Sequence, residues 1–456
     1  MIRKLLIALT TATIFALTIS AGAQATVPAH AAHAGQRRQA TARTHAHRGS
    51  RRRRSHRVNA KPRRPSSAVH ARHLHAQVAT VDHHTGNLQT SAIGAYSVQV
   101  TWPVVAGAAT VAVYVNDVLT DRFPSTADNS YVVHNLWPRT TFTVAISLLS
   151  SSGAQIERIA GQITTARPTS AFPRLYAANA FINAPVSSSP SLDSNSSNIV
   201  SSSLAAYASN SHLSNDNAWG VPIVTADNQS DGYNVGCQYY WCNMNFGNVQ
   251  IPSNAQANTG SDGHLVVMQP DGNEMDMWIG QHTNSGWTSG SRWLESASGP
   301  AANCTTAHGC GGADAANFAL AAGVVRPEEI AQGHIDHALA LITPDTRQGY
   351  AACPATSTDG QQTSPNSLPI GAHIQLSPSI NVASLNIPSW QKVIAVALQQ
   401  YGAYVVDTGG SLEIRGESNL GRTYDAWAKA GVPSNAPSLS GLPWGSMRVL
   451  SMTQCA

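Results

Sequence analysis

The segment Glu274-Met-Asp276-Met-Trp278 holds the residue types best suited to chemistry. On a β-strand, positions i, i+2 and i+4 share one face. Both carboxylates and the indole therefore project together. Cleavage of a glycosidic bond needs such a set. One carboxylate attacks the sugar or activates water, a protonated group gives the leaving oxygen its proton, and an aromatic plate stacks on a pyranose. Adjacent acids also push their pKa values apart, which keeps one protonated near neutrality. The competing reading is a polar outer face, with Met275 and Met277 in the core.

Two further carriers stand beside it. Asp336-His337 lies on the run Ile335–Ile342, read as a strand with Ile335, His337, Leu339 and Leu341 on one face. There His337 is either a satisfied core histidine or an assisting acid/base. His264, two residues after Asp262, is its candidate partner across the sheet. His373 sits on another strand, so a three-histidine metal site is an alternative. Asp407 ends an apolar strand and precedes Thr-Gly-Gly410. Glycines there let a backbone approach a ligand, or Asp407 simply caps its own turn. Glu413 and Glu417 come next, on the expected hairpin partner, and read as solvated. The catalytic set is thus Glu274, Asp276, His337 and Asp407, and the substrate-binding set is Trp278, His264, Asp262 and His373. No metal or cofactor is expected, although a structural Ca²⁺ is left open. The sequence has no G-x-S-x-G, H-E-x-x-H, P-loop or G-x-G-x-x-G.

The Glu-x-Asp strand resembles that of laminarinase-type glycosidases, which are concanavalin-like sandwiches. That family has a second Glu two or three residues after the Asp. Here those positions are Trp278 and Ile279, so the acid/base must come from another strand. Ser261-Asp-Gly-His-Leu-Val-Val267, Gly333-His-Ile-Asp-His-Ala-Leu339, Pro369-Ile-Gly371 and Tyr401-Gly-Ala-Tyr-Val-Val-Asp407 resemble a group of secreted bacterial jelly-roll proteins. That likeness implies no catalytic role.

The elements that must position these residues lie along a polarised chain. Residues 25–76 hold 12 Arg, one Lys and no acid, whereas residues 77–456 hold 13 Lys+Arg against 24 Asp+Glu, a net of −11. Arg3-Lys4, the apolar run Leu5–Ile19 and Ala21-Gly22-Ala23 form an export signal over 1–23. The mature protein is expected outside the cytoplasm. No later stretch approaches the ~20 apolar residues of a membrane span. Residues 24–88 form a disordered His/Arg-rich arm, either a solvated linker or an anchor to anionic cell-wall polymer or another polyanion.

Residues 89–167 alternate apolar and polar in short runs, the mark of a small antiparallel sandwich. Trp102 and Leu136-Trp-Pro-Arg-Thr-Thr-Phe142 resemble the fibronectin type III pattern, with Phe142 where that family usually has Tyr. The resemblance implies a spacer. A Pro/Ser/Asn-rich linker spans 168–195. Residues 196–456 then read as a larger β-sandwich of jelly-roll type with a few rim helices, at about 196–208, 313–322 and 389–401. The fold class is mainly β. Six Cys in an exported chain imply three disulfides among 15 possible connectivities. Cys237–Cys242, Cys304–Cys310 and Cys353–Cys455 is the pairing expected.

Together these features point to a secreted, monomeric carbohydrate-active enzyme. It would be a glycoside hydrolase or a polysaccharide lyase on an extracellular polysaccharide, with His337 as base in the lyase. The alternative is a non-catalytic, wall-attached carbohydrate-binding protein, stacking sugars on Trp219, Trp241, Trp278, Trp287 and Trp293. An enzyme needs two titratable groups facing one cleft, ~5–10 Å apart. A lectin needs only aromatics and amides.

Overall fold

The computed structural model describes residues 88–455, save 127, 241, 243, 244 and 306–308. The export signal and basic arm lie outside the described residues. The described chain is mainly β.

The first sandwich is built from β1 (Gln89–Ile93), β2 (Val98–Thr101), β3 (Thr110–Val115), β4 (Val118–Pro124), β5 (Ser130–Val133), β6 (Thr141–Leu149) and β7 (Gln155–Thr164). They form two antiparallel sheets, ordered β1-β2-β5 and β4-β3-β6-β7. This is the three-plus-four arrangement of a fibronectin type III-like module. Alternation drives it: Val98 and Val100 point inward while Gln99 and Thr101 are half-exposed. Phe142 is buried and offers no hydroxyl. Instead Tyr424, from the C-terminal region, packs on its ring at 5.6 Å and donates its hydroxyl to the Asn135 carbonyl at 2.8 Å.

More bonds tie this sandwich to the C-terminal region. Buried Asp121 accepts from Ser230 Oγ at 2.6 Å and Ser253 N at 2.9 Å, and Asp227 accepts from Val132 N at 3.0 Å. The expected spacer is therefore fastened to the C-terminal body. The segment read as a linker also contributes Tyr176, Ala180 and Ile182 to the large core.

The C-terminal body carries two six-stranded sheets. One runs Gly236–Tyr240, Gly286–Ser296, Asn273–Trp278, Leu265–Met268 and Ile223–Thr225, with Gln281–Thr283 beside Gly286–Ser296. The other runs Met447–Val449, His373–Leu376, Ala403–Thr408, Leu339–Thr343, Leu412–Arg415 and Ser211–Ser214. Both are mixed. Leu339–Thr343 pairs in parallel with Ala403–Thr408, and Leu412–Arg415 with Ser211–Ser214. The helix Ser389–Gln400 covers the second sheet with Trp390, Ile394, Ala397 and Leu398, matching its 3.6-residue pattern. Three disulfides join the expected cysteines.

Two expected elements differ. The expected helix at 196–208 is helical only in short pieces, an α-turn at Ser196–Ile199 and then Val200–Leu204 and Ala205–Asn210. Residues 313–322 form no helix. The amides of Leu320 and Ala321 donate to carboxylates on a distant strand instead of to carbonyls four residues back.

Candidate functional site

Two hollows of about 410 and 490 Å³ adjoin, sharing Asp262, Asp407 and Thr408 in their walls. The first is also lined by His212, Trp219, His264, Glu413 and Arg415. The second is lined by Tyr240, Trp278, Asp314 and Asp359. Together they make one cleft where strand ends of both six-stranded sheets meet. Asp407 and Thr408 end the apolar strand Ala403–Thr408, Arg415 ends Leu412–Arg415, Trp278 ends Asn273–Trp278, and His264 directly precedes Leu265–Met268. The turn at 409–410 packs so closely on Ile342 that a Cβ at Gly409 would strike its Cγ2. That fixes the wall beside Asp407.

Arg415 organises the acids. Its side chain is 2% exposed, and it donates to Asp407 Oδ2 at 3.1 Å and Asp314 Oδ2 at 3.2 Å. Asp407 also accepts from Thr408 N at 3.0 Å, and its side chain stays 18% exposed to the cleft. Burial holds the Asp407 carboxyl well above its ordinary range; the Arg415 cation opposes this, and Asp359, Asp314 and Asp262 reinforce it. Burial likewise lifts Asp314 to about 6 against the pull of Arg415. Asp359 is raised by burial and accepts from Thr408 Oγ1 at 2.5 Å. Asp262 makes no ion pair among the described residues. The cleft thus combines a carboxyl whose hold on a proton burial strengthens, Asp407, with a second acid, Asp262, that has no cation partner among the described residues.

Aromatic surface flanks the acids. Trp219 is 44% exposed, and Tyr239 and Tyr240 are 62% and 61% exposed. Both tyrosine rings lie about 6 Å from Trp278, at 6.3 and 6.1 Å. Of the other tryptophans read as sugar platforms, Trp287 and Trp293 are buried, and Trp241 lies outside the described residues.

The structure brings Asp262, His264, Trp278 and Asp407, which the sequence offered in three separate groups, to one cleft, and places the other four elsewhere. Glu274 and Asp276 do share one face, but both are fully buried. Tyr176 Oη donates to Glu274 Oε2 at 2.7 Å, Ala321 N to Glu274 Oε1 at 3.0 Å, and Leu320 N to Asp276 Oδ2 at 2.9 Å. No glycan can reach them. They hold the 318–322 loop against the sheet, and this corrects their assignment as catalytic. Burial raises both, Asp276 further through Glu274, and their neighbour Glu295 is lifted to about 8 by burial and Glu274.

His337 is also corrected. It lies before the strand, which begins only at Leu339. Its ring contacts Glu329 Oε1 at 3.0 Å and the Ala338 carbonyl at 2.8 Å. Burial works against its charge, but Glu329, the Ala338 carbonyl and Asp336 together overcome it and raise the pKa. It borders a hollow of about 20 Å³. His373 stacks on Tyr404 at 4.0 Å, its Nε2 contacts the Tyr401 carbonyl at 2.8 Å, and burial lowers its pKa. His264 reaches the cleft wall, but burial and Arg415 depress its pKa to about 4. At neutral pH it is an uncharged ring that donates Nε2–H to the Ala313 carbonyl at 3.0 Å. The three histidines do not converge, and among the described residues no group of three His, Cys, Asp or Glu could hold a metal ion.

Glu413 and Glu417, expected to be solvated, are buried. Glu413 accepts from Ser214 and Ser411 at 2.5 and 2.7 Å, and Glu417 pairs with Arg326 and Arg422 at 2.8 and 2.6 Å. Asp314, Asp359 and Arg415 were missed by sequence reasoning. Arg415 carried a usable signal, a cation alternating with Glu413 in the short strand Leu412-Glu-Ile-Arg415. Asp314 and Asp359 sit in loops of small residues that resemble ordinary turns.

No described helix is long and apolar enough to cross a membrane. No family model matches the chain, and no curated protein matches it either. Among solved structures, the fibronectin(III)-like modules of Clostridium thermocellum CbhA match at 13% identity over 18% of this chain and all of that one, with a TM-score of 0.15. Chitinase ChiA74 from Bacillus thuringiensis matches at 22% identity over 18% of this chain and 13% of that one, at 0.16. The Yersinia enterocolitica family 28 exopolygalacturonase matches at 15% identity over 18% of this chain and 20% of that one, at 0.15. Likenesses this partial carry nothing about activity. The functional reading rests on the cleft.

Proposed function

We propose that this chain is an exported glycoside hydrolase that cuts an extracellular polysaccharide in the cleft around Asp407. Asp407 serves as general acid and Asp262 as base or nucleophile. Trp219, Tyr240 and Trp278 hold sugar rings, and Arg415 is a positioning residue for Asp407. The observation that carries the reading is the juxtaposition in one cleft of a carboxyl raised above its ordinary range, Asp407, a second acid without an ion pair, Asp262, and exposed aromatic rings. Hydrolysis is favoured over uronate elimination. A lyase must neutralise the substrate's own carboxylate, and the one arginine in these walls is already engaged by Asp314 and Asp407. The basic arm retains the protein on anionic wall polymer.

A polysaccharide panel with a reducing-end readout tests this. The full chain should release reducing ends, and Asp407→Asn should lose at least about a hundredfold of that rate, the scale on which general acids contribute. Unchanged cleavage by Asp407→Asn contradicts the assignment. Tyr239 and Tyr240 also present an open aromatic surface, which favours a second reading, sugar binding without cleavage. Saturable binding with no product from any glycan supports that reading instead.

A further inference from the structure

The charge inventory of the same cleft says what kind of sugar fits it, an inference that rests on the hydrolase reading. Five carboxylates line the two hollows: Asp262, Asp314, Asp359, Asp407 and Glu413. The basic residues in the walls are His212, His264 and Arg415, and no lysine is among them. Arg415 is occupied by Asp314 and Asp407. His212 lies 3.6 Å from Glu413, and His264 gives its ring N–H to a carbonyl. Asp314 and Asp407 share Arg415, and Glu413 is bonded by Ser214 and Ser411, so the walls offer a ligand the acids Asp262 and Asp359 and no open cation. The acids do not gather around one point, since no three of them could hold a metal ion. They are spread over two hollows joined at Asp262 and Asp407. Spread charge between aromatic rings suits a polymer bearing a cation on successive units, not a single ion.

We propose that the glycan cut here carries unacetylated amino groups, as in a glucosamine-type polymer, with ring ammonium groups set against Asp262 and Asp359. Exposed Asp359 is the specificity residue. A neutral or N-acetylated chain loses these contacts, and a uronate chain is repelled.

Calorimetry on the full chain at low ionic strength tests this with glucosamine, N-acetylglucosamine and galacturonate oligomers of equal length. The glucosamine oligomer should bind about tenfold more tightly than its acetylated counterpart, equivalent to ~1.4 kcal/mol. Added salt should shrink that difference. Asp359→Asn, which keeps an oxygen to accept from Thr408 Oγ1 and whose folding is checked by its urea midpoint, should cut affinity for the amino oligomer several-fold and leave the acetylated one unchanged. Equal affinities, or tighter binding of the acetylated oligomer, overturn the amino-sugar inference while the hydrolase reading stands. Tightest binding of galacturonate overturns the inference and the preference for hydrolysis over elimination. Failure of every oligomer to bind, with no product from the polysaccharide panel, overturns both.

Discussion

Replacing Glu274 separates a structural acid from a catalytic one. Its side chain is fully buried and accepts from Tyr176 Oη at 2.7 Å and Ala321 N at 3.0 Å. Glu274→Ala strands both donors in a dry site. Each unsatisfied buried group costs about 1–3 kcal/mol, and the lost volume adds a cavity term. Relief of the like-charge neighbours Asp276 and Glu295 offsets part of this. The net loss should be about 2–4 kcal/mol. Glu274→Gln keeps an acceptor for the Ala321 amide and removes one ionisable group, but turns an NH₂ toward the Tyr176 hydroxyl, so it should lose about 1–2 kcal/mol, less than Glu274→Ala. Urea unfolding with disulfides intact reads both variants as midpoint shifts at constant slope. Glycan cleavage per folded molecule should be unchanged in Glu274→Gln. The reasoning is refuted if Glu274→Ala unfolds like the parent, or if Glu274→Gln folds normally and loses cleavage.

Three further outcomes are expected from the same structure. Glu295 binds its proton more tightly folded than unfolded, with a pKa of about 8 against an ordinary 4.5. Its contribution is therefore fully present below pH 4.5 and is lost as pH rises toward 8. Stability should fall by a few kcal/mol across that window, and Glu295→Gln should flatten the slope. An unaltered slope sinks the assignment. Cys353–Cys455 spans 102 residues, so Cys455→Ser should cost about 2–4 kcal/mol, and more than opening Cys237–Cys242, which spans five. Equal denaturant midpoints for the two variants contradict this. The basic arm should hold the full chain on purified cell wall at low salt and release it at high salt, and salt-insensitive retention excludes an electrostatic anchor.

The sequence was informative where information is local. Alternation located strands of the first sandwich at 98–101, 110–115, 130–133 and 141–149 but not Gln89–Ile93 or Val118–Pro124, and the spacing of Trp390, Ile394, Ala397 and Leu398 located the helix Ser389–Gln400. Asp407 before Thr-Gly-Gly410 marked a strand end that does open onto a cleft. Alternation also put Glu274 and Asp276 on one face correctly, yet could not say which face is covered. The cover is non-local: Tyr176 lies 98 residues earlier, and the 318–322 loop arrives from the other side. The same contact removed the expected helix at 313–322, because its amides were taken by those carboxylates. Asp314 and Asp359 join Asp407 only through sheet topology and the reach of Arg415 and Thr408, which no spacing rule encodes.

A structure of Asp407→Asn with an oligosaccharide of the polysaccharide it no longer cuts tests the central claim most directly. Sugar rings should lie between Trp219 and Trp278, with one glycosidic oxygen beside residue 407 and Asp262 on the opposite side of the anomeric carbon. Sugar bound elsewhere, such as the open groove beside Tyr401 and Arg448, with the cleft at Asp407 empty, contradicts it.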